Sequence, residues 1–250
     1  MTSSSSEEYL RRIAENSRKH ASYNIVVSGN SSSIVTTYNP PLDLDRTRQH
    51  EIALISLETY YSFPNIDATN NRVRYSRDNG FSWKEITIPI GCYEISAINE
   101  ELRKAVPDDG MTIRANIYTL KCVMVVKKNF IVDFSHGNSL RSVLGFNARQ
   151  YTAGRHTSEN VVNILNVNSI LVNLDIIGSS RVNGVEAPVI YNFFPNVAPG
   201  EKIVTAPKNI IYLPLTLHTI SRMTCWVTDQ HHKLLDLRGE ELTIRFHIRS

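Results

Sequence analysis

From about residue 23 the chain alternates apolar and polar positions with a period of two, the signature of half-buried strands. "YNIVVSG" and "SSIVTTYN" are short β-branched runs punctuated by Ser, Gly and Asn. "HEIALISLETYYSF" is apolar on both parities, with Ile52 and Leu54 on one and Ala53, Ile55 and Leu57 on the other, which predicts a central strand covered on both faces. "RVRYSRDNGFSWKEITIPI" predicts a hairpin: Val73 and Tyr75 alternate with Arg72 and Arg74, Asp78-Asn79-Gly80 supplies the turn, and Trp83, Ile86 and Ile88 return. Asn-Gly favours such a turn because both residues accept positive φ. The last segment alternates most cleanly, with Leu242, Ile244, Phe246 and Ile248 on one face and Thr243, Arg245, His247 and Arg249 on the other.

Two stretches change period. "SAINEELRKAVPDDG" predicts a helix capped by Ser96, carrying Ile98, Leu102 and Ala105 on one face and stopped by Pro107. "NSLRSVLGF" predicts a shorter one, capped by Asn138 or Ser139 and ended by Gly145. Between them a meander of two or three strands turns at Lys127-Lys128-Asn129 before Phe130, Val132 and Phe134. Ala153 to Glu159 is polar and reads as a loop; "NVVNILNV", "SILVNLDIIG", Lys202 to Thr205 and Ile210 to Leu213 read as strands, with a turn at "RVNGVEAP" and a polar hairpin turn at "TDQHHKLLD". There is no β-α-β-α order, no internal repeat and no composition break. The expectation is all-β: a single β-sandwich with one or two short helices in long connections.

The N-terminal residues stand apart. A serine run and a short helix-compatible patch (Leu10, Ile13, Ala14) with Arg11, Arg12, Arg18 and Lys19 predict a flexible arm over 1–22, ahead of one domain over 23–250. That arm has no apolar core segment of the secretory kind, and no run approaches the length of a membrane helix. A formal net charge of +3 tolerates a polyanion without demanding one. Three widely spaced cysteines (Cys92, Cys122 and Cys225) with no C-x-x-C pair indicate reduced thiols rather than a disulfide framework.

Chemistry is sparse. Among eight histidines only His231 and His232 are close in sequence, and strand neighbours point to opposite faces, so no metal site is expected. No G-x-S-x-G elbow, G-x-x-x-x-G-K-[ST] loop or G-x-G-x-x-G turn occurs, and Ser135-His136 are mere sequence neighbours. Cys92 after Gly91 reads as structural, and the acidic pairs at 100–101, 108–109 and 240–241 as solvated charge. Arg72, Arg74 and Arg77 on the hairpin, and Arg245, His247 and Arg249 on one strand face, could meet phosphate, but no aromatic reading pattern accompanies them. The expectation is no enzyme, no cofactor and no metal.

One stretch stands out. "PVIYNFFPNVAPGEKIVTAPKNIIYLPL" runs from Tyr191, Phe193 and Phe194 through Pro195, Pro199, Pro207 and Pro214, the composition of a pocket mouth or of a crossover buried against a neighbouring subunit. Prolines pre-set the backbone of such crossovers. Together with "YNPPLDLDRTRQHEIALISLETYYSFPNI", "FIVDFSHGNSLRSVLGF" and "ISRMTCWVTDQHHKLLDLRGEELTIRFHIR", this stretch resembles the minor capsid (penton) proteins of Maverick/Polinton elements and their adintovirus relatives, over most of residues 34–249. The resemblance implies a single jelly roll forming homopentamers at icosahedral vertices beside a double-jelly-roll major capsid protein. It implies a virion location, after synthesis in the host cytoplasm and assembly in the nucleus, and it brings no catalytic residue. "LRGEE" is not an R-G-D loop, which leaves receptor attachment without support. On this reading Tyr191, Phe193, Phe194, Pro195 and Pro199 form the subunit interface, while Arg11, Arg12, Arg18 and Lys19 face the interior and touch packaged DNA. The alternatives are a lectin-like or tumour-necrosis-factor-like trimeric binding module, with Trp83, Tyr93 or Trp226 as its platform, and a cupin-like metalloenzyme.

Overall fold

A computed structural model describes residues 22–178 and 180–250, so the expected arm with Arg11, Arg12, Arg18 and Lys19 lies outside the described residues. The chain divides into two compact units: one holds the described residues up to Tyr61 together with Val167–Ser250, the other is Ser62–Asn166. In chain order the first unit opens with β1 (Tyr23–Gly29), β2 (Ser33–Asp43) and β3 (Glu51–Tyr60). The second unit follows with β4 (Arg72–Ser76), β5 (Lys84–Thr87), α1 (Ile95–Ala105), a 3-10 turn (Pro107–Asp109), β6 (Met111–Asn116) and β7 (Lys121–Val126). It ends with β8 (Ile131–Asp133), α2 (Arg141–Leu144), β9 (Gln150–Tyr151) and β10 (Gly154–Val161). The first unit then resumes with β11 (Ile170–Leu174), β12 (Arg181–Val182), β13 (Val185–Glu186), β14 (Val189–Phe193), β15 (Lys202–Thr205), β16 (Leu213–Pro214), β17 (Thr219–Thr228) and β18 (Leu242–Arg249).

The first unit holds a five-stranded sheet, ordered β1-β18-β3-β15 with the short β16 also on β3, and a four-stranded one, β14-β11-β17-β2. Successive strands cross between these sheets, β1 to β2 to β3 and later β14 to β15 to β17 to β18, which is the strand order of a jelly roll. All-β architecture and the jelly-roll sandwich are therefore as the sequence led one to expect. The domain expected over 23–250 is occupied by two units, with the sandwich residues interrupted after Tyr61 and resumed at Val167.

The last strand shows why this sequence forms the sandwich. Leu242, Ile244, Phe246 and Ile248 are all fully buried. Across the ladder, Phe246 meets Ile25 on β1 and Leu54 on β3, and Ile244 meets Val27 and Leu57. Each such side chain contributes roughly 1.5–3 kcal/mol by leaving water. The register steps between Arg245 and Phe246, so Ile55 has no opposite number on β18. That bulge moves the inward parity from Ile52 and Leu54 to Leu57 and Thr59. The apolar residues on both parities of β3 thus arise mainly from a bulge, with Ala53 the one fully buried residue on the other side. On β2 a second shift, between Ile220 and Arg222 of its partner, leaves Tyr38 to Pro41 looped out, with Asn39–Pro40 in the cis form. Prolines cannot donate to a ladder, and β2 is an edge strand, which accommodates them.

The second unit has a four-stranded sheet, β5-β4-β8-β9, and a three-stranded one, β10-β7-β6. Its core joins Ile98 and Leu102 of α1 to Met124, Phe130, Val132, Phe134, Phe146 and Tyr151. Phe134, Phe146 and Tyr151 are mutual neighbours, with ring centroids 5.1 to 5.8 Å apart. Its two chain ends are tied together: Asn65 Nδ2 donates to the Ile164 carbonyl at 2.8 Å, and Asn166 Nδ2 to that of Pro64 at 3.2 Å.

α1 is capped at Glu94 without a side-chain hydrogen bond, so Ser96 lies inside it; Ile95 joins Ile98 and Leu102 on the buried face, and Ala105 is exposed. Gly145 does end α2, at φ 80°. The polar stretch Ala153 to Glu159 is no loop: most of it is β10, antiparallel to β7 from Gly154 opposite Val126. Its exposed positions carry polar residues because it is an edge strand. Conversely "NVVNILNV" leaves strand geometry after Val161, and of Ile210 to Leu213 only Leu213 pairs, beside Pro214, with β3.

Candidate functional site

β14 is an edge strand held by β11, with Phe193 opposite Ile170 and Tyr191 opposite Val172. Ile170 and Val172 are buried, which turns Tyr191 and Phe193 inward, their rings stacked at 6.1 Å and 19°. Phe193 is 7% exposed, whereas Phe194, one residue on and of opposite parity, is 69% exposed. Pro195 is half-buried and Pro199 exposed. Pro199 and Gly200 are the central residues of a turn closed by the Glu201 amide on the Ala198 carbonyl at 3.1 Å. Gly200 has φ 87°, the value a type II turn demands after proline. Of the five candidate interface residues, therefore, Phe193 and much of Tyr191 pack inside the unit, and Phe194 and Pro199 face outward.

The run after β15 explains the stretch's second half. β15 pairs with β3 as far as Thr205 opposite Leu57, and β16 resumes at Leu213 opposite Ile52. Residues 206–212 bulge out between them. Tyr212 is pinned over the outer sheet face: its hydroxyl meets His247 Nδ1 at 2.8 Å, and the Arg249 guanidinium lies 3.5 Å over its ring. Arg249 also pairs with Glu51 at 2.8 Å. The bulge leaves a cavity of about 260 Å³ lined by Leu54, Ile190, Tyr191, Pro207, Ile211 and Leu213, with Ser180, Asn192 and Asn209 as polar members. Among its described lining residues there is no carboxylate, imidazole, amine or thiol. Such a mainly apolar wall suits binding or packing, with hydroxyls and amides as its polar groups. Ile210 and Ile211 are exposed on the bulge, and Val204 on β15.

The remaining candidates resolve into structural roles. Burial pushes the thiols of Cys122 and Cys225 up to about 12, which removes their nucleophilicity. Cys92 donates to the Phe63 carbonyl at 3.1 Å. Ser135 hydrogen-bonds Asp133 and not His136. Glu101 pairs with Lys104, and Asp109 with Arg103. Arg72 pairs with Glu85, and Arg74 lies 4.9 Å from the Trp83 ring and 3.6 Å from Asp133. Among the described residues no group of three or more His, Cys, Asp and Glu could hold a metal ion. Tyr93 and Trp226 are half-buried.

One feature the sequence reasoning missed is the loop 77–83. Instead of a tight Asn-Gly turn, seven residues are organised by the Asp78 carboxylate. It accepts from the Ser82 hydroxyl, the Ser76 hydroxyl and the Ser82 amide, and these bonds lower its pKa to about 2. Ser76 Oγ in turn accepts from the amide of Gly80 at 2.8 Å. The spacing of Ser76, Asp78, Gly80 and Ser82 was the available signal.

No family model matches the sequence, and no curated protein matches it. Among solved structures the chain is similar to the mavirus penton protein, at 10% identity and a TM-score of 0.48, over 92% of this chain and 99% of that one. It is also similar to the flagellar cap protein FliD of Escherichia coli. The D2-D3 domains of FliD align over 84% of this chain and 100% of theirs at 13% identity and a TM-score of 0.24. The D1-D2-D3 domains align over 83% and 57% at 14% identity and a TM-score of 0.25.

Proposed function

We propose that this chain is a structural, non-enzymatic capsid subunit: a penton that closes rings of five at the vertices of a virus-like particle of the Maverick/Polinton type. The observation that carries the reading is the strand order β1-β18-β3-β15 over β14-β11-β17-β2, with its interior filled by Ile52, Leu57, Leu242 and Phe246. Jelly rolls serve as capsid, lectin and cupin scaffolds. A cupin works inside its sandwich, and here those positions hold apolar side chains. What remains usable is the outside, where Phe194, Val204 on β15, Ile210 and Ile211 offer apolar area along one stretch of chain. The sequence resemblance supports the penton over other capsid subunits, and with it a double-jelly-roll major capsid protein as neighbour and the virion as location. The basic arm is assigned to packaged DNA on its charge.

A head-to-tail contact repeated around an axis closes a ring, so one apolar surface and its complement suffice for five copies. The test is the mass of the full chain in solution, alone and co-expressed with a major capsid protein, followed by negative-stain images. Fivefold rings, alone or at particle vertices, are expected. A stable trimer would support a binding module instead, and a monomer under both conditions would end the proposal.

A further inference from the structure

A lone exposed aromatic needs no explanation, but Phe81 is more than that. It is 92% exposed at the apex of the loop 77–83, which is held from within by Asp78 and Ser76. The loop is also fixed from outside: the Asn79 amide donates to the Asn129 carbonyl at 3.0 Å, setting it against the turn after β7. Four exposed cations lie on the loop's flanks and the adjoining turn: Arg77 and Lys84 at the loop's shoulders, and Lys127 and Lys128 on the turn that carries Asn129. The acidic groups nearby are Asp78, whose carboxylate is engaged by hydroxyl and amide donors, and Asp108, whose backbone carbonyl accepts from Lys127 and whose own charge offsets one of the four cations. Asp109 is neutralised by Arg103.

We propose that this end of the second unit docks on an anionic lipid surface, with Phe81 entering the headgroup layer and the four cations facing lipid phosphates and carboxylates. An apolar apex in a basic collar matches the two attractions a bilayer surface offers, burial of a ring and attraction to negative headgroups. Single-stranded nucleic acid fits less well. It needs a groove and a run of open aromatic faces, and here the loop projects while the neighbouring ring, Trp83, is already covered by Arg74. The proposal goes beyond the capsid reading and does not depend on oligomeric state.

The experiment is flotation of the purified full chain with vesicles of phosphatidylcholine containing about one third phosphatidylserine, against phosphatidylcholine alone, in about 0.1 M and about 1 M salt. The chain is expected to float with the anionic vesicles only and to leave them at high salt. Phe81→Ser should lower partitioning about tenfold or more, and the double change Lys84→Ser with Lys128→Ser about twenty-five-fold, at roughly fivefold per charge. These side chains are exposed, so thermal melts of the variants should match the parent. Failure to float, equal flotation with neutral vesicles, or full binding by Phe81→Ser would overturn the proposal. So would capture by a single-stranded oligonucleotide without flotation, which would transfer the site to nucleic acid.

Discussion

Phe193 and Phe194 are adjacent, chemically identical and placed oppositely, which makes them a controlled pair. Truncating Phe193 to Ala removes a ring that is 7% exposed and stacked on Tyr191 at 6.1 Å, leaving a void in the sandwich. Loss of transfer energy and the residual cavity together cost about 3–5 kcal/mol for a buried Phe, a large share of a typical domain's margin. Truncating Phe194, 69% exposed, should change subunit stability by no more than about 0.5 kcal/mol. If that ring is buried between copies, its loss should instead weaken each contact by roughly 1.5–3 kcal/mol. Urea unfolding should be followed in a Trp83→Phe background, because Trp226 then reports on the first unit alone. The expected result is a midpoint sharply lowered by Phe193→Ala and unmoved by Phe194→Ala, with the reverse order of severity in a concentration series of assembly mass. Equal destabilisation by both changes would refute the assignment of an inward ring at 193 and an outward ring at 194. Normal ring formation by Phe194→Ala would remove that residue from the interface.

Two further outcomes are expected. Asp78 has its carboxyl lowered from 3.8 to about 2, chiefly by the Ser82 hydroxyl and then by Ser76. Its contribution is therefore complete above about pH 4 and lost as pH falls through about 2; Trp83 fluorescence in a Trp226→Phe background should show that acid transition, and Asp78→Asn should abolish it. A Cβ on Gly145, at φ 80°, would collide with the Asn160 carbonyl oxygen, whereas Gly184, at φ 82°, has nothing within 4 Å. Gly145→Ala should cost several kcal/mol and Gly184→Ala only about 1–2; comparable thermal melts for the two variants would contradict the close approach of β10 to the end of α2.

Strands were legible where one face is dry and the other wet. The alternation from Leu242 to Ile248 needed no structural help, and Gly145 announced its own helix end. What stayed hidden depends on partners distant in sequence. The bulge at Ile55 is invisible until β18 supplies the opposite register, so a parity switch looks like two buried faces. The strand at 154–161 looks like a loop because edge position, not burial, sets its composition. Asn79-Gly80 signalled a turn correctly, yet the hydroxyls of Ser76 and Ser82 enlarged it into a loop around a carboxylate. By composition the candidate interface is one aromatic cluster. Strand parity, which composition cannot show, divides it into rings spent inside the unit and one ring left outside.

The knotted-together ends of the inserted unit bear on how a ribosome delivers this molecule. Three sandwich strands emerge first and lack most of their partners until the chain has grown past Val167. Because Asn65 reaches Ile164 and Asn166 reaches Pro64, the intervening segment, once folded, holds its exit beside its entrance. The waiting strands then face a short gap instead of a long flexible tether, which lessens the entropy lost on joining them.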